Sequence, residues 1–206
     1  MHNRATEKNM KRARNGGLWN KVRTKRGKSP TGSKDNMMTR EIEKRIEEKN
    51  WKEARALTQE ELVFAPTDHW LWMTLSLTYY EDKEYEKALA CSRRAVELEP
   101  NCPLALWHYA GSLFMSGQES SALAIWTVLQ NMDLDDIAYG DCGEGMDWAM
   151  QLVNDVHFRV GRYFQWKQER ELARAWLQKY LHNREHGVTS IYDKKKAEEL
   201  LAELAR

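Results

Sequence analysis

Helix breakers are scarce in this chain, with four prolines and eleven glycines among 206 residues. Proline clashes within a helix and lacks an N–H, and glycine costs backbone entropy there. Their rarity leaves long uninterrupted stretches and favours helices. Apolar runs are short: none approaches the roughly 18 residues that a membrane span needs. The N-terminal residues also lack the apolar stretch of a secretory signal. A cytoplasmic location and no membrane partner are expected. Cysteine is rare as well. Cys91, Cys102 and Cys142 are odd in number, and no two have the spacing of a metal or redox motif. Plain thiols in a reducing compartment are expected.

The usual signatures of catalysis are missing too. Gly140–Gly145 holds three glycines but lacks the Lys-Ser/Thr ending and preceding strand of a phosphate loop. Among the histidines only His182 and His186 have helical i, i+4 spacing, and Asn183 stands where a metalloprotease has glutamate. Asp133, Asp135, Asp136, Asp141 and Glu144 lack the alternating spacing and closing glutamate of a calcium loop. No Cys/His or Ser/His pair is identifiable from the sequence. No catalytic residue, no metal ligand and no cofactor are expected.

What is present is amphipathic and unevenly charged. Hydrophobic residues make up 42% and charged residues 31% of the chain, enough apolar surface for a core. The tryptophans number nine, and such rings belong in a core, a groove or an interface. Residues 1–34 carry eleven Lys/Arg and one acid, Glu7, a net of about +10. The other twenty-one basic and thirty acidic residues give 35–206 a net of about −9.

A 34-residue unit runs from His69 to Cys102. Trp72, Leu75 and Tyr79 take its fourth, seventh and eleventh places, Ser76 its eighth, Ala88 its twentieth, Ala95 its twenty-seventh and Pro100 its thirty-second. The alternation of large, small and aromatic residues suits two antiparallel helices of about 13 residues around a turn at Glu81–Glu84. Pro100 stops the second helix. This unit resembles the tetratricopeptide repeat family. A second copy fits 103–136, with Pro103 in its first turn, Leu106, Tyr109, Ala110 and Leu113 in its first helix, Gly117 in the turn, and Ala122, Trp126, Leu129 and Leu134 after it. A weaker copy fits 154–187, and a degenerate one 35–68 keeps Ala54 and Pro66. Residues 137–153 interrupt the series as a glycine-marked loop followed, from about Met146, by an overlong first helix. Ser190–Asp193 resembles a capping box ahead of a terminal helix, placed at 191–205.

The resemblance implies an all-α, right-handed α-solenoid of helical hairpins over 38–206, with a C-terminal capping helix. Family ligands usually lie along the first helices. Carried over, those positions give Trp70, Met73, Leu77 and Tyr80 in one unit, then Trp107, Phe114 and Met115, then Phe158, Arg162 and Trp166. The family's carboxylate clamp for chaperone tails is not reproduced, since its places hold Met73, Leu77, His108, Asp155 and Arg159. The expected function is a non-enzymatic protein–protein interaction scaffold. An aromatic groove of this kind admits an apolar or amphipathic peptide, the chain's own tail or terminal helix, or a second copy.

Residues 1–37 read as a disordered basic tail. Lys11, Arg12 and Arg14, then Lys21, Arg23, Lys25, Arg26 and Lys28, could neutralise several phosphates without sequence choice. Leu18-Trp19 and Lys28–Gly32 are similar to short basic segments of some bacteriophage proteins. The alternative function is therefore a nucleic-acid-associated adaptor, phage- or ribonucleoprotein-linked and anchored by this tail. A solvated tail, or one docked on an acidic protein surface, fits the same charge.

Overall fold

The computed structural model describes residues 35–205, which are helical with short connections and contain no strand. They divide into two compact units, one up to Met146 and one from Asp147. The first holds α1 (Asp35–Glu47), α2 (Trp51–Phe64), α3 (His69–Glu81), α4 (Tyr85–Leu98), α5 (Pro103–Met115), α6 (Glu119–Asn131) and the short α7 (Leu134–Tyr139). The second holds α8 (Met146–Trp166, whose first residue falls in the other unit), α9 (Arg170–Glu185) and α10 (Lys194–Leu204). The basic residues singled out between Lys11 and Lys28 lie outside the described residues, as does most of the expected tail. Its last positions, 35–37, belong to α1.

One turn recurs in every hairpin. Lys49, Lys83, Gly117 and Gln168 each adopt positive φ, at 57°, 64°, 81° and 63°. The residue after each donates its backbone N–H to a carbonyl five residues back: Asn50 to Arg45 at 2.8 Å, and Glu84 to Tyr79, Gln118 to Leu113 and Glu169 to Phe164 at 2.9 Å. This is the Schellman ending, in which a left-handed residue satisfies the last free carbonyls of a helix. Lys49, Lys83 and Gly117 stand 34 residues apart, and Gln168 follows after 51, one period plus a 17-residue insertion. The repeat is therefore built into the backbone even where the side-chain pattern is weak.

Small residues recur with the same period. Ala54, Ala88, Ala122 and Ala173 hold one register position and have no exposed surface. They let each second helix approach its first. In the hairpin α3/α4 the Ser76 hydroxyl donates to Ala88 O at 2.8 Å. In α8/α9 a Cβ on Gly161 would sit 2.9 Å from Leu177 Cγ, so that contact admits only glycine without movement. Each helix of α1–α6 packs on the next, and α3 also touches α5. Arg55 ties α2 to the α3/α4 turn: its Nη2 donates to Thr78 O at 2.9 Å and to Asp82 Oδ2 at 2.6 Å, and its Nη1 to Glu84 Oε1 at 3.2 Å.

Pro103 is the first residue of α5, and α4 ends before Pro100. Leu134 opens α7 and does not extend α6, because the Asp133 carboxylate accepts from the N–H groups of Asp135 and Asp136 and starts a new helix. The interruption is thus mostly helical, with a loop only at 140–145. Ser190 does not cap the last helix. Asp193 does, accepting from Lys195 N at 3.0 Å, while the Ser190 hydroxyl is engaged with Asp155 at 2.5 Å. Among the described residues no helix is long and apolar enough to cross a membrane.

Candidate functional site

The first helices α3 and α5 are apolar around most of their circumference, and such helices are largely enclosed. In α3 the groove positions Trp70, Met73, Leu77 and Tyr80 are buried. In α5 Trp107 and Met115 are buried and Phe114 is partly exposed, its ring 5.5 Å from that of Trp126. The open aromatic wall expected along these helices is therefore closed at these positions. In the second unit Phe158 is buried, stacked on Tyr192 at 4.2 Å, while Arg162 and Trp166 are partly exposed. The former clamp positions His108, Asp155 and Arg159 are buried too. These large side chains hold the helices together.

One accessible apolar patch of the first unit lies elsewhere. A cleft of ≈ 450 Å³ opens between α2, α3 and α4, with Leu62, Trp72, Leu75, Ala90 and Cys91 among its walls and Lys87 beside them. Trp72 follows Trp70 by two residues, about 200° around the helix, so it faces the cleft while Trp70 faces the core. Its indole N–H donates to Pro66 O at 2.8 Å, which fixes the ring. Tyr79, also in the wall, lies under the Arg55 guanidinium at 4.1 Å, and Gln59 donates to its hydroxyl at 3.4 Å. Beyond Leu62, α2 ends in Val63 and Phe64, 76% and 78% exposed. Burial pushes the Cys91 thiol up to about 11, so it stays neutral.

A second cluster joins residues distant in sequence. His69 opens α3, Cys102 is the N-cap residue of α5, and Cys142 stands in the loop 140–145. Their ligand atoms all lie within 4.8 Å of one another, with His69 Nε2 3.2 Å from Cys142 Sγ. A Cβ on Gly143 would sit 2.3 Å from Ala138 O, so the close return that presents Cys142 requires glycine there. The Cys102 thiolate is favoured, chiefly because the Cys142 thiol donates to it, and the His69 imidazole adds to this. The Cys142 thiol is correspondingly held protonated, and the His69 pKa is raised by its bond to Cys102.

No Cys-x-x-Cys spacing marks this group, so the residue order alone points to no metal ligands. The repeat does carry part of the signal. His69 and Cys102 lie one residue short of a full period apart, and residues one period apart become neighbours when hairpins stack. Cys142 comes from the insertion, whose path no periodicity foretells.

The second unit centres on a buried carboxylate. Ser190 Oγ donates to Asp155, Tyr192 N donates to Ser190 Oγ at 2.9 Å, and the Tyr180 hydroxyl donates to Tyr192 O at 2.8 Å. These bonds pin the connector before α10 onto α8 and α9. Burial raises the Asp155 carboxyl to about 7, against the opposing pull of Ser190 and of Arg159. No protein-family model and no curated protein matches the chain.

Proposed function

We propose that this chain is a non-enzymatic protein–protein interaction scaffold of the reducing cytoplasm, a right-handed solenoid of tetratricopeptide-like hairpins that receives the apolar anchor of a peptide or partner helix. The cleft between α2, α3 and α4 carries this reading. It combines a fixed indole with aliphatic walls, and the exposed Val63 and Phe64 follow its Leu62 at the end of α2. At ≈ 450 Å³ it is an open, shallow surface cleft, a shape suited to one bulky apolar side chain of a partner and not to an enclosed ligand. Buried Trp70, Met73, Leu77 and Tyr80 serve this surface by fixing α3 from behind.

The test is selection of a random peptide library on the full chain, with Leu62→Glu as counter-target. Peptides with apolar residues at i, i+3 or i+4 should be enriched, and Trp72→Ala should weaken them by about 2 kcal/mol, roughly 30-fold. No enrichment, or affinities unchanged in both variants, would refute the proposal. The nucleic-acid-associated adaptor remains a second reading, supported by the net charge of about +10 on residues 1–34. It demands binding that falls steeply with salt and disappears when 1–34 is deleted.

A further inference from the structure

The group His69, Cys102 and Cys142 is a converging set of soft donors. Two sulfurs and an imidazole nitrogen are a zinc-type donor set. With Zn–S of about 2.3 Å and Zn–N of about 2.0 Å, neighbouring donors of a tetrahedral ion stand about 3.5–3.8 Å apart. The 3.2 Å between His69 Nε2 and Cys142 Sγ is a few tenths short of that edge, and all three atoms fit inside 4.8 Å. An ion therefore needs side-chain adjustment and no backbone rearrangement.

The surroundings also favour a cation. The negative charges of Asp68 and Glu99 act on His69, and those of Glu99 and Asp141 on Cys142. Cys102 stands at the positive end of α5, where a thiolate ligand is stabilised. Cys102 is buried while His69 and Cys142 are partly exposed, so an ion has both an anchored ligand and a path to solvent. A disulfide would need only the two sulfurs, and the third donor at the same point is what distinguishes a metal site.

We propose that His69 Nε2, Cys102 Sγ and Cys142 Sγ bind zinc through three protein ligands, with the fourth position open to water. The ion fastens the loop 140–145 to the starts of α3 and α5, in place of the thiol and imidazole hydrogen bonds that link them without metal. This inference is independent of the docking cleft and goes beyond the scaffold reading.

The full chain, kept reduced with a phosphine, is titrated with Zn²⁺ against a chromophoric chelator, and its metal content is measured by mass spectrometry. A single zinc per chain is expected, and Co²⁺ in its place should give a thiolate-to-cobalt charge-transfer absorption. Cys142→Ser, a change at a half-exposed loop position, should lower zinc affinity by more than about 100-fold, beyond what loss of an outer-shell partner costs. His69→Ala should do the same, and Cys91→Ser should leave binding unchanged. Circular dichroism identifies any variant that fails to fold, and the remaining ligand variant then decides. The competing metal site is the pair His182 and His186, whose rings lie 4.2 Å apart. Zinc that survives Cys142→Ser and leaves with His182→Ala overturns the proposal. So does a reduced chain that takes up no stoichiometric zinc, or a freshly isolated chain with a Cys102–Cys142 disulfide and no metal.

Discussion

Lowering the pH from 7 to 5 should weaken the first unit through His108. This residue lies inside α5 with 1% of its surface exposed, and burial drives its imidazole pKa from 6.5 down to about 3. A depressed pKa means that the unfolded chain takes up a proton that the folded chain refuses. Stability is then fully present above pH 6.5 and is lost as the pH falls toward 3. At pH 5 the unfolded state gains about 1.5 pKa units of protonation free energy, or roughly 2 kcal/mol. Glu81 acts in the opposite sense, because burial raises its carboxyl from 4.5 to about 6. The folded chain takes that proton first, which returns about 1 kcal/mol at pH 5. His108→Gln removes the histidine contribution and leaves Glu81 in place. Urea unfolding of the full chain at pH 7 and pH 5, followed by circular dichroism, isolates the difference. On acidification the wild type should lose about 2 kcal/mol more than the variant. Equal losses in both proteins would show that His108 takes up its proton in the folded state and that burial does not hold it neutral.

Asp155 carries the reverse sign. With a folded pKa raised from 3.8 to about 7, its contribution is present in acid and is lost as the pH rises through 7. The wild type should lose about 2–3 kcal/mol on this group between pH 5 and pH 8, and Asp155→Asn should flatten that part of the profile in urea titrations. Gly161→Val forces a side chain against Leu177, already 2.9 Å from an added Cβ, and should cost about 2 kcal/mol by thermal or urea unfolding. The turns should respond according to backbone sign: Lys83→Gly stabilises by about 0.5–1 kcal/mol, while Gly117→Ala destabilises by about 1 kcal/mol in the same assay.

The hairpins were legible because local chemistry and tertiary packing agree in them. Pro103 starts a helix, Pro100 follows one, and Ala54, Ala88, Ala122 and Ala173 recur where helices touch. The degenerate first unit was nearly invisible in its side chains, yet its turn at Lys49 has the same backbone form as that at Lys83. Ser190 misled because a hydroxyl three residues before an acid looks like a cap. Only the fold shows that buried Asp155 claims it and that Asp193 caps α10.

The site was less legible. Family positions assigned Trp70 and Trp107 to an open face, but helices that are apolar all round are enclosed, and only contacts decide which side stays open. Trp72, a repeat-pattern residue and not one of the family's ligand positions, lines the cleft. The His69, Cys102 and Cys142 group depends on how an insertion folds back, a long-range matter that residue spacing does not encode.

The docking role of the cleft is tested most directly by hydrogen exchange on the full chain with and without a selected peptide. Added protection is expected in the second half of α2 and in α3 and α4, around Leu62, Trp72, Leu75 and Ala90. Protection confined to other helices, or none at all with the peptide bound, would contradict it.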